Sequence, residues 1–299
     1  MALELRSAVP DAERRLRTLE LAITRRLDGR LHGEYRGLLP GPGWEAGDGR
    51  TYQPGDDVRR IDWSLSARSN QIQVRDTIAD RELETWAVVD GSASLDFGTD
   101  QWEKRDLAIA ATATFGFLSC VGGSRFGVVV AEPSGITVMP PGSGRDHVRH
   151  LLRRLMQRPS SAPGEIDLPG AIERIGRLRR RPGAVVLVSD LIGDDGWVRA
   201  IRAHAQRCRT VVVEVRDDRD DHLPPVGFLT LVDPETGRVH DVQTNDRALR
   251  TRFADAASAR RVRIADDVRS SGSDHLVVNT DNDWLDDIVR HHHTNRRLR

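Results

Sequence analysis

Asp90-Gly91-Ser92-Ala93-Ser94 follows directly on the apolar stretch 86–89, an order that brings one carboxylate and two hydroxyls to the end of a buried strand. In an open α/β sheet the carboxyl ends of the strands are where ligands bind. Carboxylate and hydroxyl oxygens are hard donors that suit Mg²⁺ or Mn²⁺ and suit zinc poorly. A second strand ends the same way: the β-branched run 184–188 closes on Ser189-Asp190 after the break at Pro182-Gly183. Asp90, Ser92, Ser94 and Asp190 are therefore the candidate metal ligands, an incomplete oxygen shell with room for water and an outside ligand. The plainer alternative for Asp90 and its serines is capping of the loop or helix that follows.

Elements that could position such a site alternate along the chain. Buried-type strands are expected at 125–131, 210–215 and 276–279, besides those at 86–89 and 184–188. Helices are expected at 102–121, 146–157, 168–181 and 194–207, and again from about Trp284. Strands alternating with helices of this length predict a doubly wound α/β fold, a mostly parallel sheet covered on both faces. Residues 228–232 and 239–242, flanking Asp233-Pro234-Glu235-Thr236-Gly237, predict a hairpin.

Composition narrows the function class. The 299 residues are 38% hydrophobic, enough for a full core. No apolar run nears the roughly 18 residues of a membrane span and no signal peptide is visible, so a soluble, cytoplasmic protein is expected. Cys120 and Cys208 read as buried free thiols. Basic and acidic residues balance at 45 each, which argues against broad nucleic-acid binding. All the basic residues but Lys104 are arginine, and no G-x-x-x-x-G-K-[ST] loop is present to bind a nucleotide. Gly142-Ser143-Gly144 reads as a plain loop, and His291-His292-His293 as a solvated helix end whose side chains point different ways. No G-x-S-x-G or H-E-x-x-H motif appears, and no catalytic constellation is visible.

Residues 1–80 form a separate unit in this reading, ahead of an α/β domain over 81–299. A charged helix is expected at about 10–29, followed by the breaker-rich loop 37–43 and then Y-Q-P-G-D-D-V-R-R-I-D-W-S-L-S-A-R at 52–68. Asp57, Arg59, Asp62, Trp63 and Arg68 are expected to pin this extension to the core through a buried ring and a self-satisfying charge network. A direct partner site is the alternative.

The stretch 52–68, with the D-G-S-A-S run, the V-L-V-S-D-L strand, the L-V-D-P-E-T-G hairpin and the C-terminal helix, resembles the bacterial domain-of-unknown-function family fifty-eight, in its short form without membrane helices. The resemblance implies a von Willebrand factor A-like fold with a metal-ion-dependent adhesion site. It also implies a MoxR-type AAA+ ATPase as partner, with the chain acting as adaptor or co-chaperone toward a client protein. In that site a later threonine supplies a further ligand. The matching run here is Gly164-Glu165-Ile166-Asp167, where Ile166 cannot coordinate and Asp167 is placed to cap the next helix. Any Mg²⁺ or Mn²⁺ is accordingly expected to bind weakly. The function expected is non-catalytic protein interaction. The alternative class is a Mg²⁺-dependent phosphoester hydrolase using the same carboxylates, for which the adjacent loops offer only Asp96, Asp194 and Asp195 as bases.

Overall fold

The computed structural model describes residues 21, 50–53, 61, 63–69, 71–74, 83–99, 102–121, 123–160, 162–179, 182–193, 195–282, 284 and 288. Short, β-branched apolar runs become the strands of its main sheet: β3 (Glu84–Asp90), β4 (Arg125–Glu132), β6 (Ala184–Ser189), β7 (Arg209–Arg216) and β10 (Asp274–Asn279). With β5 (Gly135–Gly142) they form six strands in the order β10-β7-β6-β3-β4-β5. All neighbours are parallel except β4 and β5, which pair antiparallel. A two-stranded ladder, β1 (Arg50–Thr51) with β2 (Gln73–Val74), precedes the sheet, and α1 (Trp63–Ser69) lies between its strands.

Alternation along the strands sends side chains to two cores. Ala87, Val89, Val128, Val130, Val186 and Val188 meet α2 (Lys104–Val121) and α3 (Arg145–Met156) on one face. Trp284 and Ile288, both helical, seal the same face. Trp86, Val88, Val129, Val185, Leu187 and Val212 meet α4 (Leu168–Leu178), α5 (Trp197–Ala205) and α6 (Arg247–Ser271) on the other. This is the doubly wound arrangement that the strand–helix alternation predicts.

Three features depart from the sequence-based expectations. The 25-residue α6 was not anticipated, because only a thin stripe of Ala257, Arg261, Ile264, Val268 and Ser271 is buried along it. Its ends are nonetheless conventional: the Asp246 side chain accepts from the Ala248 and Leu249 amides, and Gly272 ends it with φ 80°. Strand β5 was also missed. It is an edge strand, so Pro140 and Pro141 are tolerated there despite lacking a ladder donor. The third departure concerns the extension. Trp63, expected to be a buried anchor, lies on α1 with 71% of its surface exposed, and Arg68 on the same helix is also exposed. Among the described residues, a seven-residue helix on a two-stranded ladder offers no second layer deep enough to cover an indole. Asp57, Arg59 and Asp62 lie outside the described residues, as does the helix expected at about 10–29 apart from Leu21. Strands β8 (Phe228–Val232) and β9 (Val239–Gln243) form the expected hairpin.

Candidate functional site

From β3 the chain moves to β4 and β5 on one side, then returns to place β6, β7 and β10 on the other. The strand order therefore reverses between β3 and β6, the point where a doubly wound sheet opens a crevice at its carboxyl ends. Asp90 and Ser189 end these two neighbouring strands, and Asp190 follows immediately.

The sequence-derived residues do come together there. Asp90 Oδ1 accepts from the Ser92 amide at 2.8 Å and Asp90 Oδ2 from the Ser189 hydroxyl at 2.5 Å. The Ser92 and Ser94 hydroxyls are 2.8 Å apart, in and beside a 3₁₀ turn at Ala93–Leu95. All of these side chains are buried. Gly91 is needed in the turn, because an added Cβ would lie 2.6 Å from the Ala131 carbonyl oxygen. Burial and the neighbouring Asp190 carboxylate push the Asp90 carboxyl up to about 6, against the pull of the Ser189 and Ser92 hydrogen bonds.

Sequence reasoning missed the group that organises the other half of the cluster. Lys104, the first residue of α2, is 1% exposed. Its Nζ donates to Asp190 Oδ2 at 2.9 Å and to the two carboxylate oxygens of Asp220 at 3.2 and 3.0 Å. Asp220 belongs to a 3₁₀ turn, Asp218–Asp220, just beyond β7. Burial pulls the ammonium down, but Asp190 and Asp220 outweigh it and hold Lys104 above the ordinary lysine range. The remaining Asp190 oxygen, Oδ1, accepts from the Ile192 amide at 3.1 Å. The only signal in the sequence was that one lysine stands among 45 basic residues.

Further polar ties fix the loops around this edge. Asp217 accepts from the Thr99 amide and hydroxyl, the Thr280 hydroxyl and the Arg219 amide, joining the loops after β3, β7 and β10. At the hairpin tip, burial and the carboxylates of Asp190, Asp90, Asp233 and Glu165 push the Glu235 carboxyl up. Glu214 on β7 is held by Arg261, Arg216 and His275. Arg261 also reaches Asp221, and its Nη2 lies 3.9 Å from Asp220.

A divalent cation fits only half of this arrangement. The paired serine hydroxyls stand as two adjacent ligands of one ion would. The carboxylate half does not fit, because Asp190 already shares its charge with an ammonium that would repel a second cation. Ile166 is half-buried against the core and offers no donor, while Asp167 caps α4 by accepting from the Gly170 amide at 2.7 Å. Among the described residues no three His, Cys, Asp or Glu side chains converge as a metal site requires. The cavity touching Asp90 measures about 10 Å³, room for about one water.

Residues 48–263 match the family described as "Protein of unknown function DUF58". The chain belongs to this family. Uncharacterized protein Rv1480 of Mycobacterium tuberculosis is 49% identical over 283 residues, covering 94% of this chain and 89% of that protein. A shorter match, uncharacterized protein MAV169 of Mycobacterium avium, is 40% identical over 163 residues, covering 54% of this chain and 96% of the relative. Among solved structures, the conserved hypothetical protein BatB of Bacteroides thetaiotaomicron aligns over 72% of this chain and 98% of its own, with a TM-score of 0.45 and 15% identity. A von Willebrand factor type A protein of Catenulispora acidiphila aligns over 72% of this chain and 42% of its own, with a TM-score of 0.37 and 13% identity. The sheet order and two-faced helix cover of this DUF58 chain are those of a doubly wound α/β fold. No helix among the described residues is long and apolar enough to cross a membrane.

Proposed function

We propose that the chain is a non-catalytic interaction module that works with a MoxR-type AAA+ ATPase and its client, contacting the partner through the carboxyl edge of the sheet. The observation that carries this reading is the reversal point between β3 and β6. Its polar groups are satisfied within the fold, and among the described residues the cavity touching Asp90 measures only about 10 Å³. A surface prepared this way presents rigidly held loops, as a docking face needs. Phe97 and Trp102, 43% and 38% exposed on the loop between β3 and α2, supply the large apolar contacts that anchor protein interfaces. A phosphoester hydrolase built on the same carboxylates would have only that small cavity among the described residues beside Asp90. Its candidate base Asp96 is engaged by Arg105 at 3.0 Å.

The choice of ATPase rests on the family resemblance of the Tyr52–Arg68 stretch and the strand-end motifs. The test is capture of a purified MoxR-type AAA+ ATPase by the purified chain. Phe97→Asp and Trp102→Ala are expected to weaken capture at least about tenfold. Leu178→Asp, at the end of α4 by the opposite edge of the sheet, should leave it unchanged. Undiminished capture by both edge variants would overturn the proposal.

A further inference from the structure

Lys104 has properties that an ordinary surface ion pair does not explain. It opens α2, where the helix dipole opposes a positive charge, and it is buried, where loss of hydration opposes it again. It is also the one ammonium in a chain whose other basic residues are all guanidinium groups. A guanidinium is a planar fork suited to flat, two-pronged pairing, whereas an ammonium is a compact point charge with three donors. Lys104 spends those donors on Asp190 Oδ2 and the two oxygens of Asp220, at 2.9, 3.2 and 3.0 Å. The Phe97 ring lies 6.0 Å from Nζ.

This is the position in charge terms, though not in coordination, of a small ion beside Asp190. We infer that Lys104 is the resident cation of the carboxyl-edge cluster: its ammonium neutralises Asp190 and Asp220, and the edge is assembled without a divalent metal. Three observations converge on it. Asp190, expected to ligate a metal, has both oxygens engaged, one by Lys104 and one by the Ile192 amide. The position to which the family resemblance assigns a further hydroxyl ligand holds Ile166, packed with the core instead. Lys104 also bridges two elements far apart in sequence, since Asp190 follows β6 and Asp220 follows β7. A side chain that joins three loops in this way does permanently what a bound ion would do only when loaded. As it bears on partner binding, the inference rests on the proposed docking face: that face is then organised at any divalent-ion concentration.

The experiment is titration of the purified protein with Mn²⁺, read by water-proton relaxation, and it needs no ATPase. Its outcome is therefore separate from that of the capture test. The wild-type protein is expected to bind Mn²⁺ no more tightly than about 1 mM, and indistinguishably from Asp90→Asn. Lys104→Ala removes the internal charge and should gain Mn²⁺ affinity at least about tenfold, a gain that adding Asp190→Asn abolishes. Wild-type binding below about 0.1 mM that Asp90→Asn or Ser92→Ala removes would overturn the inference. So would a folded Lys104→Ala protein with no gain, which would reduce Lys104 to a structural ion pair. Should that variant fail to fold, the wild-type titration alone decides.

Discussion

Glu214 ties the stability of this fold to acid. The side chain is fully buried on β7, with Arg216 Nη2 at 2.7 Å, Arg261 Nη1 at 2.8 Å and His275 Nε2 at 2.9 Å. Burial alone pushes a carboxyl up, but the hydrogen bonds from His275 and Arg216 and the charges of Arg216 and Arg261 outweigh it. Together they hold Glu214 at about 2, against an ordinary 4.5. At about 1.36 kcal/mol for each pH unit, the difference contributes about 3 kcal/mol to folding at neutral pH. Because the folded carboxyl takes up a proton less readily than the unfolded one, this stabilisation is fully present above about pH 5 and is lost as the pH falls toward 2. Glu214→Gln keeps the shape and removes the charge, leaving cations uncompensated in the interior. Urea unfolding at pH 7 should show the variant about 3–5 kcal/mol less stable than the wild type. At pH 3 the part of that gap due to the charge should shrink to about 1.4 kcal/mol. An equal gap at the two pH values would refute the reasoning, because the carboxylate would then not be ionised against its partners.

Asp90 carries the opposite sign. Its carboxyl is raised from 3.8 to about 6 by burial and by Asp190, so ionising it works against folding, and the wild type gains stability as the pH falls from about 6 to about 4. Asp90→Asn should therefore be about 1–3 kcal/mol more stable than the wild type at pH 8 and lose that advantage near pH 4. A destabilised Asn variant at pH 8 would count against this. Trp63→Ala, at a ring 71% exposed, should leave the stability within about 0.5 kcal/mol, and a loss of several kcal/mol in thermal melts would reinstate the buried anchor.

Legibility in the sequence followed burial. Strands β3, β4, β6 and β7 were readable because a central parallel strand is apolar on both faces and short, and the edge strand β10 by its short apolar run at 276–278. Helix α6 was not, since it lies on the core by one narrow stripe that includes Arg261, whose guanidinium is spent on Glu214 and Asp221. Its Asp246 and Gly272 caps were the available signals. At the site, Asp90, Ser92, Ser94 and Asp190 were readable because each follows a recognisable strand. Lys104 was not, because it meets Asp190 and Asp220 across 86 and 116 residues of chain, and pairing at that distance is fixed by strand order rather than by spacing. The same limit hid Asp217, whose partners Thr99 and Thr280 stand on two other loops.

A lone, enclosed lysine also makes the protein its own reporter. Acylating reagents and lysine-specific endoproteases find one side-chain amine in 299 residues, and the native fold keeps it behind Phe97 and between two aspartates. Modification of Lys104 therefore requires α2 to part from the ends of β6 and β7, an opening of the central layer rather than a fluctuation of the surface. The rate of labelling at Lys104, read at that residue apart from the α-amine, counts those openings directly with no engineered probe. In a mixture with a remodelling ATPase, labelling at this one position would separate simple docking from forcible unfolding of the domain.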